Sequence, residues 1–439
     1  MAQKAWFWAC AAVAVAGVGA PGARVEAGQK GPVLTAAPIL GGHDAPDETA
    51  VIQFSPTDNR IACSAAVIAP NLVLTARHCL ANTPLTFNCD PANPSGGGFD
   101  LGALVPAQEL RVYLSQTYLN QPRDVAADAR GKKVFSDPVA NLCGHDVAIV
   151  WLDHDLPGRR RLPLRLTASK VNEPATAVGW GAINTKGEKP VFLQRVDTTV
   201  LALGPANYEM VPGLPLVTTL ERELVVGKTA CGGDSGSPLL SKETGAVIGT
   251  LSYLTNVDPA RNEIINIFEE PLPWCTDGLA SIYHTLEGRP FIEQAFAEAG
   301  HKLWREGEPE PLAFGQSCTS ADQCDSGICV GAPGATICSR ACDAGACPEG
   351  LQCADVEGRQ VCTSGGAGGG PDPGGSAGAG VVEPPPTNPA QGGGGDDEGC
   401  QMAEGVAPAG ASWAALALLL GLSRRRRPSA CAGRRGHRL

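Results

Sequence analysis

Short apolar and β-branched runs recur between residues 39 and 304, and clusters of Gly, Pro or Asn separate many of them. This rhythm is typical of antiparallel strands in a sandwich or barrel, and not of repeated strand–helix–strand units. The runs are 64–68, 72–76, 111–114, 147–152, 175–178, 191–201, 223–226, 246–254 and 279–283. We therefore expect one large all-β domain over residues 39–304.

A helical pattern closes this domain. Over residues 291–304, one helical face carries Phe291, Ile292, Ala295, Phe296 and Ala299. Apolar positions spaced by three and four residues predict an amphipathic helix, here one that packs against the β domain.

A cysteine-rich module follows the domain and has few large apolar residues. Two successive blocks of four cysteines with similar spacing suggest an internal duplication: Cys318, Cys324, Cys329, Cys338, Cys342, Cys347, Cys353 and Cys362. We expect four disulfides to stabilise residues 318–362, although eight cysteines allow 105 pairings. A zinc site is the weaker alternative, because the module has no His and no C-x-x-C pair. The module is interpreted as an accessory binding unit or a spacer.

The remaining segments predict delivery and tethering. Residues 1–27 combine Lys4, an apolar run over 5–20 and an A-x-A-like cleavage site at 25–27. This pattern is typical of a signal peptide and less so of a membrane anchor. Residues 364–399 are mostly Gly, Pro, Ser, Ala and Asp, which predicts a disordered linker.

The C-terminal tail, residues 400–439, has three parts in order. Cys400 precedes the apolar residues 406–422, and four arginines follow at 424–427. This order resembles the MYXO-CTERM type of bacterial surface-sorting tail, in which the Cys is the expected modified residue. A simple stop-transfer membrane anchor is the alternative, since an apolar segment of this length is near the lower limit for spanning a bilayer.

Charge and cysteine content narrow the compartment and the partners. The net charge of the 439 residues is −11, and the two ends hold nine of the 34 basic residues but only two of the 45 acidic ones. An acidic middle disfavours nucleic acid as a partner. The 17 cysteines favour an oxidising compartment. Six lie in the β domain and eight in the module, which leaves Cys10, Cys431 and the candidate attachment residue Cys400.

Three short segments carry the candidate chemistry. Residues 231–238 read CGGDSGSP, where flanking glycines allow a sharp turn that exposes Ser235 as a nucleophile. Residues 74–79 read LTARHC and offer His78 as a general base. Residues 145–150 read HDVAIV and place Asp146 where it could orient a His.

In the order His, Asp, Ser, these segments resemble the chymotrypsin/trypsin-like serine peptidases over about residues 39–298. The resemblance implies a double six-stranded antiparallel β-barrel with the active site between the barrels. It assigns His78 as base, Asp146 as its partner, Ser235 as nucleophile and the amides of Gly233 and Ser235 as the oxyanion hole. The G-W-G sequence at 179–181 matches a further family motif.

The resemblance also implies disulfides and an activation step. It suggests bridges Cys63–Cys79 and Cys231–Cys275, and parity leaves Cys89 to pair with Cys143. Ile39 begins a sequence, ILGG, that resembles the new N-terminus of activated family members, whose amino group pairs with the acid before the nucleophile, here Asp234. Residues 28–38 would then be a pro-segment, although Pro38 is an unusual residue to cleave after.

The substrate pocket departs from that of trypsin. Thr229 stands where a family member that cleaves after basic residues has Asp, and the expected pocket wall is Ser252, Tyr253 and Leu254. An uncharged floor does not compensate a buried Lys or Arg, so we expect small or apolar residues before the cleaved bond.

Other residues depart from the family pattern or show no pattern of their own. Arg77 replaces the small residue usual before the His, and residues 63–66, which read CSAA, lack the usual glycines. His145 is interpreted as a neighbour of the site. Four other histidines show no pattern that assigns them a role: His43, His154, His284 and His301.

The sequence thus predicts an exported, surface-tethered serine endopeptidase, present at the cell surface, in the outer membrane or outside the cell. Its partners would be protein or peptide substrates and, through the tail, a membrane; we expect a monomer without metal or cofactor. The alternative is a non-catalytic binding protein on a peptidase fold.

Overall fold

The computed structural model of the chain describes residues 42–56, 63–81, 86–87, 101, 103–139, 141–184, 186–210, 212–213, 216–258, 263–267, 280–332, 334–342, 347, 351–356 and 358–363. The predicted signal peptide (1–27), pro-segment (28–38), linker (364–399) and sorting tail (400–439) lie outside these residues. Within them, no helix is long and apolar enough to cross a membrane.

The described part of the chain is built mainly from short strands. In chain order these are β1 (His43–Asp44), β2 (Val51–Ser55), β3 (Cys63–Ala69), β4 (Leu72–Thr75), β5 (Thr86–Phe87), β6 (Arg111–Tyr113), β7 (Ala129–Ser136), β8 (Ala148–Leu152), β9 (Pro174–Gly179), β10 (Gln194–Leu203), β11 (Ala206–Tyr208), β12 (Val217–Thr219), β13 (Glu223–Gly227), β14 (Pro238–Ser241), β15 (Val247–Asp258), β16 (Glu263–Ile267), β17 (Ala280–His284), β18 (Cys329–Ala332), β19 (Ala335–Cys338), β20 (Gln352–Val356) and β21 (Arg359–Thr363).

Two closed six-stranded antiparallel barrels form from these strands. The first barrel has the order β2-β3-β4-β8-β7-β6, and the second runs β14-β9-β10-β13-β17-β15 and closes through the pairing of β14 with β15. The predicted double barrel is therefore confirmed. Three barrel strands, β2, β7 and β14, were absent from the predicted runs. In β7 the outward face carries Arg and Lys, and its apolar positions are few.

Strand alternation places the apolar side chains in three layers. In β3, Ala65 and Val67 pack inside the first barrel, while Ala66 and Ile68 join the apolar cluster that lies between the barrels. A third cluster, which includes Val200, fills the second barrel. Because successive residues of a strand point to opposite faces, one strand can serve both its own barrel and the contact with the other.

The single α-helix within the described residues, α1 (Pro290–Ala299), packs against the first barrel. Pro290 lies at its first turn, and Gly300 ends it in a left-handed conformation with φ of 77°. The predicted face is buried at Phe291, Ile292, Ala295 and Phe296. The helix is shorter than the predicted segment because Gly300 interrupts it.

The cysteine-rich module contains two hairpins, β18–β19 and β20–β21. Each block of four cysteines has the same connectivity, first to third and second to fourth: Cys318–Cys329, Cys324–Cys338, Cys342–Cys353 and Cys347–Cys362. This shared connectivity agrees with the duplication predicted from the spacing. The module contacts the first barrel through ion pairs such as Arg340–Asp155 (2.9 Å) and Arg161–Asp325 (3.2 Å).

Candidate active site

His78 lies at the end of strand β4, in a short helical turn that covers Arg77–Leu80. A disulfide joins Cys79 of this turn to Cys63 at the start of β3, with 6.2 Å between the Cα atoms. The turn is buried, and His78 itself is only 6% exposed. The histidine is therefore held by covalent and backbone structure on both sides.

Asp146, in the loop before β8, contacts His78 twice. The backbone N–H of His78 donates to Asp146 Oδ1 at 2.7 Å, and His78 Nδ1 lies 2.6 Å from Asp146 Oδ2. A carboxylate at this distance accepts a hydrogen bond from Nδ1–H. The neutral ring therefore keeps its proton on Nδ1, and Nε2 is the basic nitrogen. The arrangement fixes both the ring orientation and its tautomer.

The Asp146 carboxylate is completely buried and ionised. Burial opposes its ionisation and is the largest single influence, but the charge of His78 and the hydrogen bonds from His78 and Ser252 together hold the pKa of Asp146 below its usual value. The Ser252 hydroxyl, from β15, donates to Oδ2 at 2.5 Å. Ser252 was predicted as pocket wall; its hydroxyl contacts Asp146.

His284, to which the sequence assigned no role, lies behind Asp146. The backbone N–H of Asp146 donates to His284 Nδ1 at 2.9 Å, so the ring carries its proton on Nε2. Nε2 lies 3.2 Å from Glu223 Oε1, and both residues are fully buried. Glu223 Oε2 accepts hydrogen bonds from Tyr253 Oη (3.0 Å) and the Leu220 amide (2.8 Å). No sequence signal marks this network, because its members come from four separate segments.

Ser235 lies on a tight turn before β14 and packs against the strand pair that leads to His78. The Ser64 amide donates to the Ser235 carbonyl at 2.8 Å. Gly236, with φ of 80°, approaches the same strands so closely that a Cβ would lie 2.1 Å from Thr75 Oγ1 and 2.8 Å from the Ala76 nitrogen. The fold thus brings the Ser235 turn, from the second barrel, against the β4 end that carries His78.

Asp234 is fully buried beside the G-W-G sequence. Its carboxylate accepts the amides of Gly181 (2.7 Å) and Cys231 (2.9 Å), and burial raises its pKa to about 6. A Cβ at Gly179 or Gly181 would lie within 2.2 Å of this carboxylate, which explains why the motif has Gly at both positions. The proposed amino-group partner, Ile39, lies outside the described residues.

The predicted pocket residues pack in the second barrel. Thr229 is buried, and its Oγ1 lies 3.3 Å from Tyr283 Oη. Leu254 and Tyr283 belong to the apolar cluster of this barrel. The Tyr253 side chain points toward Glu223, as described above.

Arg77, one of the departures noted in the sequence, is also buried. Its guanidinium donates to the carbonyls of Val139 and Asn141, in the chain segment that leads toward Asp146. The residue that replaces a small one before His78 therefore ties the His-bearing turn to the Asp-bearing loop.

Disulfides account for the cysteines near the site. Cys143 and Cys231 are both disulfide-bonded, and their predicted partners Cys89 and Cys275 lie outside the described residues. Three clusters of the described part bring Cys or His ligand atoms within 4.8 Å of one another, one of them at Cys63, His78 and Cys79. Every cysteine in these clusters belongs to a disulfide, so none offers the thiolate that binds metal.

The model of the Trypsin family matches residues 39–270, more than half of the chain. Trypsin epsilon of Drosophila erecta is 26% identical over 200 residues, 44% of this chain and 67% of the relative. Kallikrein 1-related peptidase b24 of Mus musculus is 27% identical over 190 residues, 42% of this chain and 66% of the relative.

Among solved structures, neuropsin, a serine protease expressed in the limbic system of mouse brain, matches 56% of this chain and 93% of its own, at 15% identity and a TM-score of 0.37. The chain spans about two-thirds of the length of the curated relatives it matches. Because the family model covers most of the β domain, we conclude that this chain belongs to the trypsin family.

Proposed function

We propose that the protein is a serine endopeptidase that uses Ser235, His78 and Asp146. The main support is the doubly bonded contact of His78 with a buried, ionised Asp146, next to the turn that carries Ser235. Family membership supports peptidase activity in general. The substrates are proteins or peptides.

In the proposed reaction, His78 Nε2 removes the proton from the Ser235 hydroxyl as its oxygen attacks the scissile carbonyl. Asp146 stabilises the imidazolium that forms. The amides of Gly233 and Ser235 donate to the developing oxyanion. His78 then gives the proton to the leaving amine. In the second half of the reaction, His78 takes a proton from water as the water attacks the acyl carbonyl, and it returns the proton to the Ser235 oxygen as the acyl group leaves.

A serine-reactive fluorophosphonate tests this function without knowledge of the substrate. We expect it to label the matured protein and not the variant Ser235→Ala, which removes only the attacking oxygen. Equal labelling of both, or none of the matured wild type, contradicts the proposal. The second result would instead favour the non-catalytic binding protein, with the cysteine-rich module as its binding part.

We further propose that small or apolar residues precede the cleaved bond. Thr229 offers a hydroxyl and no charge where a basic side chain would need a carboxylate, and Leu254 is a large apolar residue where a small Gly is usual. Profiling with a peptide library checks this. Cleavage mainly after Arg or Lys would contradict it.

We also propose export and surface tethering by the tail, which rest on the sequence patterns at the two ends of the chain. The disulfides of the β domain and the module support an oxidising compartment. Cell fractionation and mass spectrometry of the mature protein test both ends, including Cys400. Release of the pro-segment before Ile39, with pairing of the new amino group to Asp234, is tested by N-terminal sequencing of the active form.

A further inference from the structure

The segment that carries the oxyanion amides, residues 231–236, is here called the oxyanion loop. Two of its carbonyls accept hydrogen bonds from side chains elsewhere in the chain. Lys189 Nζ donates to the Gly232 carbonyl at 2.6 Å, and the Ser64 hydroxyl donates to the Gly233 carbonyl at 3.2 Å. Neither side chain was singled out as a contact of this loop in the sequence.

Lys189 is held close to the centre of the loop. A Cβ on Gly233, whose φ is 102°, would lie 2.5 Å from Lys189 Nζ, so the ammonium lies against the backbone that offers the first oxyanion amide. Its charge also acts favourably on the Asp234 carboxylate. The ammonium thus contacts the loop at Gly232 and Gly233 and attracts the Asp234 carboxylate electrostatically.

The segment that carries Lys189 is itself closed by hydrogen bonds. The Asn184 side chain donates to Glu188 Oε2 at 2.6 Å and accepts from the Lys186 amide at 2.9 Å. At its start, the Ala182 amide donates to the Gly232 carbonyl at 3.0 Å. Because these bonds already order the backbone of the segment, the Lys189 contact costs only the rotamer freedom of its own side chain.

Ser64 provides the second contact from the first barrel. It is completely buried, and its oxygen accepts the Trp180 amide at 3.1 Å while its proton goes to the Gly233 carbonyl. This bond fixes the plane of the Gly233–Asp234 peptide, while the Lys189 bond to the Gly232 carbonyl fixes the plane that carries the Gly233 amide. The hydroxyl therefore orients the turn whose amides would bind the oxyanion.

In activated relatives that the sequence resembles, a freed amino group near the acid before the nucleophile orders this loop. Here the contacts of Lys189 and Ser64 arise from side chains that exist whether or not the chain is cleaved. We propose that Lys189 and Ser64 are positioning residues that keep the oxyanion loop in its catalytic shape in the uncleaved chain, so that peptidase activity does not depend on cleavage before Ile39. The inference rests on the proposed peptidase function. It also fits Pro38, after which few processing peptidases cut.

The test uses the full chain with residues 34–38 replaced by the enteropeptidase recognition sequence Asp-Asp-Asp-Asp-Lys, so that cleavage before Ile39 is under control. The second-order rate of fluorophosphonate labelling is measured before and after cleavage, with intact mass as the check on chain state. We expect the uncleaved form to react within about tenfold of the cleaved form.

Lys189→Met should then act differently on the two forms. Two cationic groups can act on the loop, the Lys189 ammonium and the amino group that cleavage frees at Ile39. The uncleaved form has only the first of these two, so we expect its labelling rate to fall by about 10- to 100-fold. In the cleaved form the new amino group compensates, and the loss should be about threefold or less. Lys186→Met, at an exposed lysine of the same segment, is the matched control, and Lys189→Arg should restore part of the rate.

Two further variants and a folding check complete the design. Ser64→Ala should lower the rate of the uncleaved form more than that of the cleaved form, and equal melting temperatures exclude unfolding as the cause. An inert uncleaved form beside a reactive cleaved form overturns the inference and leaves the proposed function standing. Equal losses in both forms on Lys189→Met also overturn it. If neither wild-type form is labelled, the proposed function fails, and this inference with it.

Discussion

The two sides of the site are held in different ways. On the His78 side, hydrogen-bond donors converge on the buried carboxylate of Asp146, and the second barrel contributes one of them, the Ser252 hydroxyl. The second barrel also supplies His284, which accepts the backbone N–H of Asp146. On the Ser235 side, the loop is shaped by glycines and by hydrogen bonds to its carbonyls, one of them from Ser64 of the first barrel. Each barrel thus holds the reactive group of the other.

This difference predicts which substitutions damage each side. The His78 side should be sensitive to charge and to the identity of hydrogen-bond partners, because a buried carboxylate without donors is costly. The Ser235 side should be sensitive to shape, since an atom added where neighbours lie close, as at Gly181 or Gly236, displaces the turn. Three substitutions separate these expectations.

The largest effect is expected for Asp146→Asn. The amide preserves the volume but removes the charge that stabilises the imidazolium, and it lets His78 adopt the wrong tautomer. We expect kcat to fall by about 10⁴-fold with little change in the fold. Rates on a cleavable peptide and near-ultraviolet circular dichroism check this. A loss below about tenfold would mean that Asp146 does not orient the base.

A smaller loss is expected on the Ser235 side for Gly181→Ala. The new methyl group would lie 2.1 Å from the Asp234 carboxylate, which must move and take the oxyanion loop with it. We expect the rate of fluorophosphonate labelling to fall by about 10²- to 10³-fold, as it would on removal of an oxyanion donor. Gly232→Ala is the matched control, because nothing lies within 4 Å of the position that its methyl group would take and its φ is not positive. Similar fluorophosphonate labelling of both variants would contradict the importance of shape.

The smallest effect is expected behind Asp146, at His284. Replacement with Leu leaves the Asp146 amide without an acceptor and should lower kcat by about tenfold, with KM nearly unchanged. His284→Asn keeps an acceptor oxygen near the position of Nδ1 and should retain most of the activity. Equal losses in the two variants would show that His284 acts through packing and not through this hydrogen bond.

Several elements of this protein were predictable from the sequence because their signals are local. The GDSG turn, the histidine next to Cys79 and the acid before a strand each carry a pattern within eight residues. The rhythm of short apolar runs predicted an antiparallel sandwich or barrel, and the family resemblance implied the double barrel. Phe291, Ile292, Ala295 and Phe296 predicted the buried face of the helix. Strand β7 was missed because cations alternate with its few apolar residues.

The cross-barrel contacts were not predictable in the same way. The sequence marked Arg77 and the CSAA segment at 63–66 as departures from the family pattern, but the contacts of Arg77 and Ser64 were visible only in the fold. Ser64 lies 169 residues from Gly233, and His284 lies 138 residues from Asp146. Similarly, Thr229 and Tyr283 come together across 54 residues.

The sequence by itself determined an all-β domain, the candidate reactive groups and the duplicated cysteine pattern, and its motifs resembled those of the family that implies two barrels. The tertiary structure decided how those groups are held: the burial of Asp146 among its donors, the contact of Lys189 with the oxyanion loop and the pairing within each cysteine block. The physical reason is range. Periodicity and turn chemistry act between near neighbours in the chain, whereas a buried charge is stabilised by whichever distant side chains the fold brings within hydrogen-bond distance.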